Sequence, residues 1–184
     1  MKKIIMLITI MLLLAGCVSN PEDEDILFEK YEAAYSDLLS NDKFESSSNF
    51  FDSEVVVNKV KEDEYRIDTI IDNPKVAMYN VQVIAEINSL GIKEYKEVNP
   101  SLGIVDQSVY HLIPYQVNQD QGFYEGLVVS GLSDKKAGDV IFEITWTNYA
   151  ETEQFQEFLK LDYDIDFEEE EVEEVEDESA EDGE

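Results

Sequence analysis

The chain has 184 residues, with 13 lysines and arginines against 43 aspartates and glutamates, giving a formal net charge of −30. Charge of that sign and size repels nucleic acid and anionic lipid headgroups, which excludes binding to either by electrostatic adsorption. A single cysteine excludes intrachain disulfides and CxxC redox chemistry; with no GxGxxG or Walker A loop and no histidine- or cysteine-rich cluster, no nucleotide, zinc or iron cofactor is expected.

The chain opens with a basic pair, Lys2-Lys3, followed by an apolar run from Ile4 to Leu14 and the small residues Ala15-Gly16 ahead of Cys17. A spanning helix needs about 20 apolar residues, and this run is shorter, so residues 1–16 read as a removable signal. Leu14-Ala15-Gly16-Cys17 resembles the lipobox of bacterial lipoprotein precursors. The resemblance implies cleavage between Gly16 and Cys17 and a diacylglyceryl anchor, of the palmitate type, on the Cys17 sulfur. It also implies a place on the extracytoplasmic face of the bacterial cell membrane, reached through a lipoprotein pathway of Gram-positive type. Paired acyl chains hold firmly because burial adds roughly 0.8 kcal/mol per methylene, where one chain is marginal. Loss of residues 1–16 removes Lys2 and Lys3 and no acidic residue, so the mature chain is more acidic still.

Residues 17–25 are short, polar and interrupted by Pro21, and read as a lipidated tether. From Glu24 to about Leu39, the residues Leu27, Tyr31, Ala34, Tyr35 and Leu38 recur at helical spacing, with acidic residues in the first turn to complement the dipole. That is one amphipathic helix, whose stripe is expected to dock on the domain that follows. Asn41 to Asn49 contains Ser46-Ser47-Ser48 and no apolar period, so residues 26–49 are helix and linker.

The period then changes to that of strands. Val55-Val56-Val57 begins a β-branched run, and Tyr65, Ile67, Thr69 and Ile71 alternate with Glu64, Arg66, Asp68 and Asp72 until Asn73-Pro74 breaks the pattern. Tyr79, Val81, Val83, Ala85 and Ile87 share one face of the clearest strand, with Asn80, Gln82 and Glu86 on the other and Ile84 as the exception. Further extended pieces are predicted at Ile92–Val98, Ser108–Tyr115, Phe123–Ser130, Val140–Tyr149 and Phe155–Tyr163, with turns at Asn99-Pro100, Asn118–Gly122 and Ser133–Gly138. In the Val140 strand, Phe142, Ile144 and Trp146 point one way and Glu143, Thr145 and Thr147 the other.

Roughly seven or eight strands with short turns and one-sided alternation point to a mostly β domain over residues 50–163, an immunoglobulin-like antiparallel β-sandwich preceded by the helix. The antibody-type Cys, Trp, Cys spacing is absent, so the reading is architectural only. An α+β cystatin-like sheet wrapped on the helix is the alternative. Residues 164–184 hold Glu168-Glu169-Glu170-Glu171 and no basic residue, and are expected to form an acidic disordered tail.

Candidates for chemistry are few. His111, the only histidine, could act as a base for Ser108 with a carboxylate as orienter, although a lone strand histidine is more often a half-buried polar residue. Ser130 lacks the glycine two residues earlier that a nucleophile elbow needs, because Val128 stands there. Asp162, Asp164 and Asp166, with Glu173 in the twelfth position, imitate an EF-hand loop. Phe167 replaces its essential glycine, however, and Glu169 its apolar anchor, so no metal site is expected. Tyr110, Tyr115, Phe123, Tyr124 and Tyr149 fall near predicted turns and are candidates for a recognition surface, with core packing as the alternative.

The sequence therefore predicts a non-enzymatic, lipid-anchored envelope protein that binds an unidentified protein or polymer partner, held to the membrane through Cys17 and indifferent to nucleic acid. The alternatives are an envelope hydrolase or calcium-dependent enzyme using His111 or the Asp162–Glu173 cluster, and a small-solute receptor. The receptor reading is weakened because the chain is short for two lobes around a cleft.

Overall fold

The computed structural model describes residues 21–88, 100–106 and 108–164. Helix α1 (Pro21–Ser40) begins at a proline, which loses nothing in the first turn because the missing N–H would have no partner there. The expected tether at 17–25 is thus too long at its C-terminal end: Pro21 starts the helix instead of separating it from the lipid. The last turn closes with the Asn41 N–H donating to the Asp37 carbonyl at 3.2 Å and Ser40 Oγ to the same carbonyl at 3.1 Å.

Nine strands follow among the described residues: β1 (Asp52–Lys61), β2 (Glu64–Asp72), β3 (Tyr79–Ile87), β4 (Ser101–Leu102), β5 (His111–Leu112), β6 (Phe123–Tyr124), β7 (Leu127–Ser133), β8 (Ala137–Thr147) and β9 (Gln154–Asp164). They form one sheet in the order β1-β2-β7 and a second in the order β4-β3-β8-β9, all neighbours antiparallel, while β5 and β6 make a short parallel pair. Val81, Val83, Ala85 and Ile87 of β3 and Phe142, Ile144 and Trp146 of β8 point inward, as their alternation requires. They meet Tyr65, Ile67 and Ile71 of β2 and Leu127 and Val129 of β7. Each fully buried large apolar side chain contributes roughly 1.5–3 kcal/mol. Because these two sheets enclose a core of their own, the cystatin-like alternative is not what forms.

α1 lies on the outer face of the second sheet. Tyr31, Tyr35 and Leu38 are buried there against Ile84 and Ile104, with Phe28, Phe44, Ile141 and Phe158 around them. This explains Ile84, the apolar residue on an otherwise polar face. The linker after α1 is strapped to the sheet: the Glu45 N–H donates to the Phe158 carbonyl at 3.0 Å, and the Lys160 N–H to the Glu45 carbonyl at 2.9 Å.

At the end of the sandwich where β3 stops, Asn88 adopts a positive φ of 53° and its amide donates to Ser133 Oγ at 2.7 Å and to the Tyr163 hydroxyl. The Tyr163 hydroxyl in turn donates to Ser133 Oγ at 3.2 Å, so three strands are tied at one point. Gly138 lies against this clasp, and a Cβ there would run into Asn88 Oδ1 and come within 3.0 Å of the Tyr163 hydroxyl.

Several expectations are corrected. The predicted strand Ser108–Tyr115 shrinks to His111–Leu112, because Pro114 lacks a ladder donor and Ile113–Gln116 forms a turn. The predicted strand Phe123–Ser130 is split at Glu125-Gly126, where its halves serve different sheets. β8 starts at Ala137, so the predicted turn Ser133–Gly138 narrows to Asp134–Lys136. Asp164, assigned to the tail, is the last residue of β9. The predicted strand Ile92–Val98 and the acidic tail after Asp164 lie outside the described residues.

Candidate functional site

The segments 73–78, 108–126 and 148–153 gather at the end of the sandwich where β2 and β8 terminate. Asn80 sits in a register irregularity of β3 with φ 49°, a left-handed conformation that asparagine tolerates better than most residues. Its N–H has left the ladder and donates to His111 Nδ1 at 3.0 Å, while its amide donates to Thr147 Oγ1 at 3.2 Å and to Glu151 at 3.1 Å. The His111 ring packs on Tyr79 and Phe123, with centroids 5.2 and 4.9 Å away. Burial lowers the His111 pKa from 6.5, against a smaller opposing pull from Glu151, so the neutral ring that accepts this bond is favoured.

The His111 N–H donates to the Gly122 carbonyl at 2.7 Å. Gly122 itself, at φ 78°, ends a short 3-10 turn, Gln119–Gln121, and a Cβ there would lie 2.6 Å from the Val109 carbonyl oxygen. Ser108 does not face the histidine: its N–H and hydroxyl turn to Asp106, at 3.4 and 3.5 Å. Asp106 also accepts from the Tyr110 hydroxyl at 2.6 Å; burial and this carboxylate both push the Tyr110 pKa up. The residues expected as base and nucleophile are therefore engaged separately.

Of the aromatic residues expected near turns, Tyr110 and Tyr124 pack on each other and Phe123 packs on His111, all half-buried. Tyr115 and Tyr149 differ, with relative exposures of 105% and 82%. Tyr149 still leans on Tyr79 at 5.4 Å between ring centroids. Tyr115 stands in a turn closed by the Gln116 N–H donating to the Ile113 carbonyl at 3.1 Å. With Pro114 before it and φ at 63°, Tyr115 takes the position that glycine usually fills in a type II turn. Beside it runs a cleft of about 410 Å³ lined by residues including Asn73, Pro74, Ile113, Val117 and Glu125.

A second opening separates α1 from the outer face of the β3 sheet. Its larger part, about 660 Å³, is lined by residues including Leu27, Lys30, Gln82, Val109 and Tyr110. A smaller part, about 200 Å³, shares Ala34, Gln82 and Ile104 with it and is bordered by Asp37, Glu143 and Gln156.

Asp162 and Asp164 alternate along β9 and are exposed, and Asp162 pairs in register with Asp139, so these two residues belong to the ladder. No group of three metal-ligating side chains occurs among the described residues. Gly16, Cys17, Asp166 and Glu173 lie outside them. Ser130 Oγ donates to Asp68 at 2.7 Å, a carboxylate that also accepts from Arg66 at 2.9 Å and Asn58 at 3.0 Å. Sequence reasoning does not single out Asn80 or Glu143. The only trace of Asn80 is an asparagine beginning a β pattern, and Glu143 carries the pattern of an ordinary solvent-facing residue.

Residues 1–17 match the family model of the prokaryotic membrane lipoprotein lipid attachment site, in agreement with the resemblance carried by Leu14 to Cys17. The chain therefore bears the signature of a bacterial membrane lipoprotein precursor. No curated protein and no solved structure matches it. Among the described residues, no helix is long and apolar enough to cross a membrane.

Proposed function

We propose, with the lipid attachment site at residues 1–17 as the premise, that this chain is a non-enzymatic binding module of the bacterial cell envelope. Signal peptidase cuts between Gly16 and Cys17, and acylated Cys17 holds the domain on the extracytoplasmic face of the membrane. Tethering raises its effective concentration toward a protein or polymer partner in the same layer.

The observation that carries this reading is Tyr115, fully exposed at a φ of 63°. A bulky L-residue in the left-handed region costs about 1–2 kcal/mol, and a ring standing in solvent recovers none of it by packing. Tyrosine is also a residue type that anchors interfaces. The separate engagement of His111 and Ser108 supports the non-enzymatic reading. The strand orders support an immunoglobulin-like assignment, in which β1, β2 and β7 take the places of strands A, B and E, and β3, β8 and β9 those of C, F and G.

A photo-crosslinking amino acid placed at position 115 of the lipid-anchored protein on cells should give a discrete adduct with an envelope component. The same probe at exposed Lys59 on β1 should not. Identical products from both positions would remove the basis of the reading. Palmitate labelling of the wild type but not of Cys17→Ser checks the anchor separately.

A further inference from the structure

We propose that β7 is the seam of a symmetric dimer, in which it pairs antiparallel with β7 of a second copy of this chain. The two larger sheets end in four edge strands, and three of them carry devices against such pairing. β1 holds Asp52, Glu54, Lys59 and Lys61, with a register shift between the two lysines. β9 holds Lys160, Asp162 and Asp164, and Glu45 is bonded to its backbone on the side away from β8. β4 is two residues long. β7 has none of these devices: Leu127–Ser133 contains no charge and no proline, and its register with β2 runs unbroken from Leu127 to Ser133. Among the described residues, no strand lies on its other side and no backbone hydrogen bond from another element reaches it. Val128 and Leu132, on the face turned away from the core, are 50% and 52% exposed.

The sequence of β7 complements itself. Residues directly opposite in an antiparallel pair share a face, so the register that keeps the whole strand paired sets Ser130 against Ser130 of the second copy. Val128 then meets the second copy's Leu132 on the outer face, and Leu132 its Val128, while Val129 and Gly131 oppose each other on the inner face. Continued past both ends of the strand, the same register brings exposed Glu125 opposite exposed Lys135 of the second copy, and the reverse. Two pairs of opposite charge thus close the seam of a chain whose net charge of −30 otherwise repels its copy. The two-fold axis passes through Ser130 perpendicular to the sheets, so both α1 helices, on the outer face of the second sheet, stand at one height. With the Cys17 anchor proposed above, both lipids then reach a single bilayer. The joined sheet runs β1-β2-β7-β7-β2-β1, and its remaining edges are the two defended β1 strands, so the assembly closes at two copies. The inference does not rest on the reading of Tyr115.

The test is cysteine crosslinking of the full chain in bacterial membranes under mild oxidant, with the wild type reporting any background from Cys17. Ser130→Cys should give a disulfide dimer, because Cβ atoms opposite each other across a pair of antiparallel strands lie about 4.5–5.5 Å apart. Val128→Cys and Leu132→Cys should each stay monomeric alone and crosslink to each other when co-expressed. Lys59→Cys, on β1, should stay monomeric. In neutral detergent without oxidant, sedimentation should show a dimer, weakened severalfold by Glu125→Lys or Lys135→Glu and restored when the two changes are combined. The proposal is overturned if neither Ser130→Cys nor the co-expressed pair crosslinks, as when this chain's own residues cover the edge, or if β7 crosslinks to a different protein instead. Equal crosslinking of Lys59→Cys and Ser130→Cys, the mark of random collision, overturns it, as does a double charge reversal no better than either single change. Ser130 Oγ donates to Asp68; should Ser130→Cys fail to fold for that reason, the co-expressed Val128→Cys and Leu132→Cys decide.

Discussion

The backbone N–H of Asn80 donates to Nδ1 of His111 across 3.0 Å, so the chain's only histidine secures an irregularity in β3. His111→Ala leaves that N–H without its acceptor and removes ring contacts to Tyr79 and Phe123, and should cost about 1–3 kcal/mol in denaturant melts. Because burial holds the folded pKa below 6.5, the unfolded chain takes up this proton first. His111 therefore makes the protein less stable as pH falls from 6.5 through its lowered value, and the Ala variant should lose that part of the slope.

Glu143 gives a slope of opposite sign. Its folded pKa is raised above 4.5 by burial, so the native state holds the proton more tightly. Stability due to this group falls as pH rises from 4.5 through the raised value. Thermal melts of Glu143→Gln across the acid range should be flatter than those of the wild type in this window.

The Tyr35 hydroxyl donates to Glu86 Oε1 at 3.1 Å beneath α1, where Glu86 is buried. Tyr35→Phe keeps the ring in place and deletes the donor to a buried carboxylate. A loss of about 1.5–3 kcal/mol is expected, with faster proteolytic cleavage within α1 than in the strands.

Tyr115→Gly should separate stability from binding. Glycine accepts the positive φ without strain, so the melting temperature should rise, by the equivalent of about 0.5–1 kcal/mol after allowing for glycine's greater entropy loss. The crosslinked partner should lose affinity in the same variant.

Gly138→Ala places a methyl group against the clasp of Asn88, Ser133 and Tyr163. Overpacking there should destabilise by about 1–3 kcal/mol. The signal is a changed environment for Tyr163 in near-ultraviolet circular dichroism.

The sandwich is legible in the sequence because alternation records which face of a strand is dry: Val81, Val83, Ala85 and Ile87 lie inside, as do Phe142, Ile144 and Trp146. Glu86 and Glu143 escape for a related reason. Alternation separates apolar from polar, but it does not reveal that α1 covers the polar face; Ile84 alone hints at the cover. Ser108–Tyr115 reads as strand because β-branched and aromatic residues are common there, while Pro114, the Ile113–Gln116 turn and the Asp106 bonds decide its path. Tyr115 is one of five aromatic candidates near predicted turns, and only its backbone angle and exposure set it apart.

α1 begins at Pro21 and its stripe is already packed by Phe28 and Tyr31, so with lipid on Cys17 only Val18, Ser19 and Asn20 separate the modified residue from the helix. At roughly 3.3–3.6 Å per residue, such a leash extends no more than about 14 Å. On the proposed Cys17 anchor, the body would ride low over the bilayer with little room to swing. On that proposal, bulky molecules would have to approach it from above, and a bound partner would be kept in the shallow layer next to the headgroups.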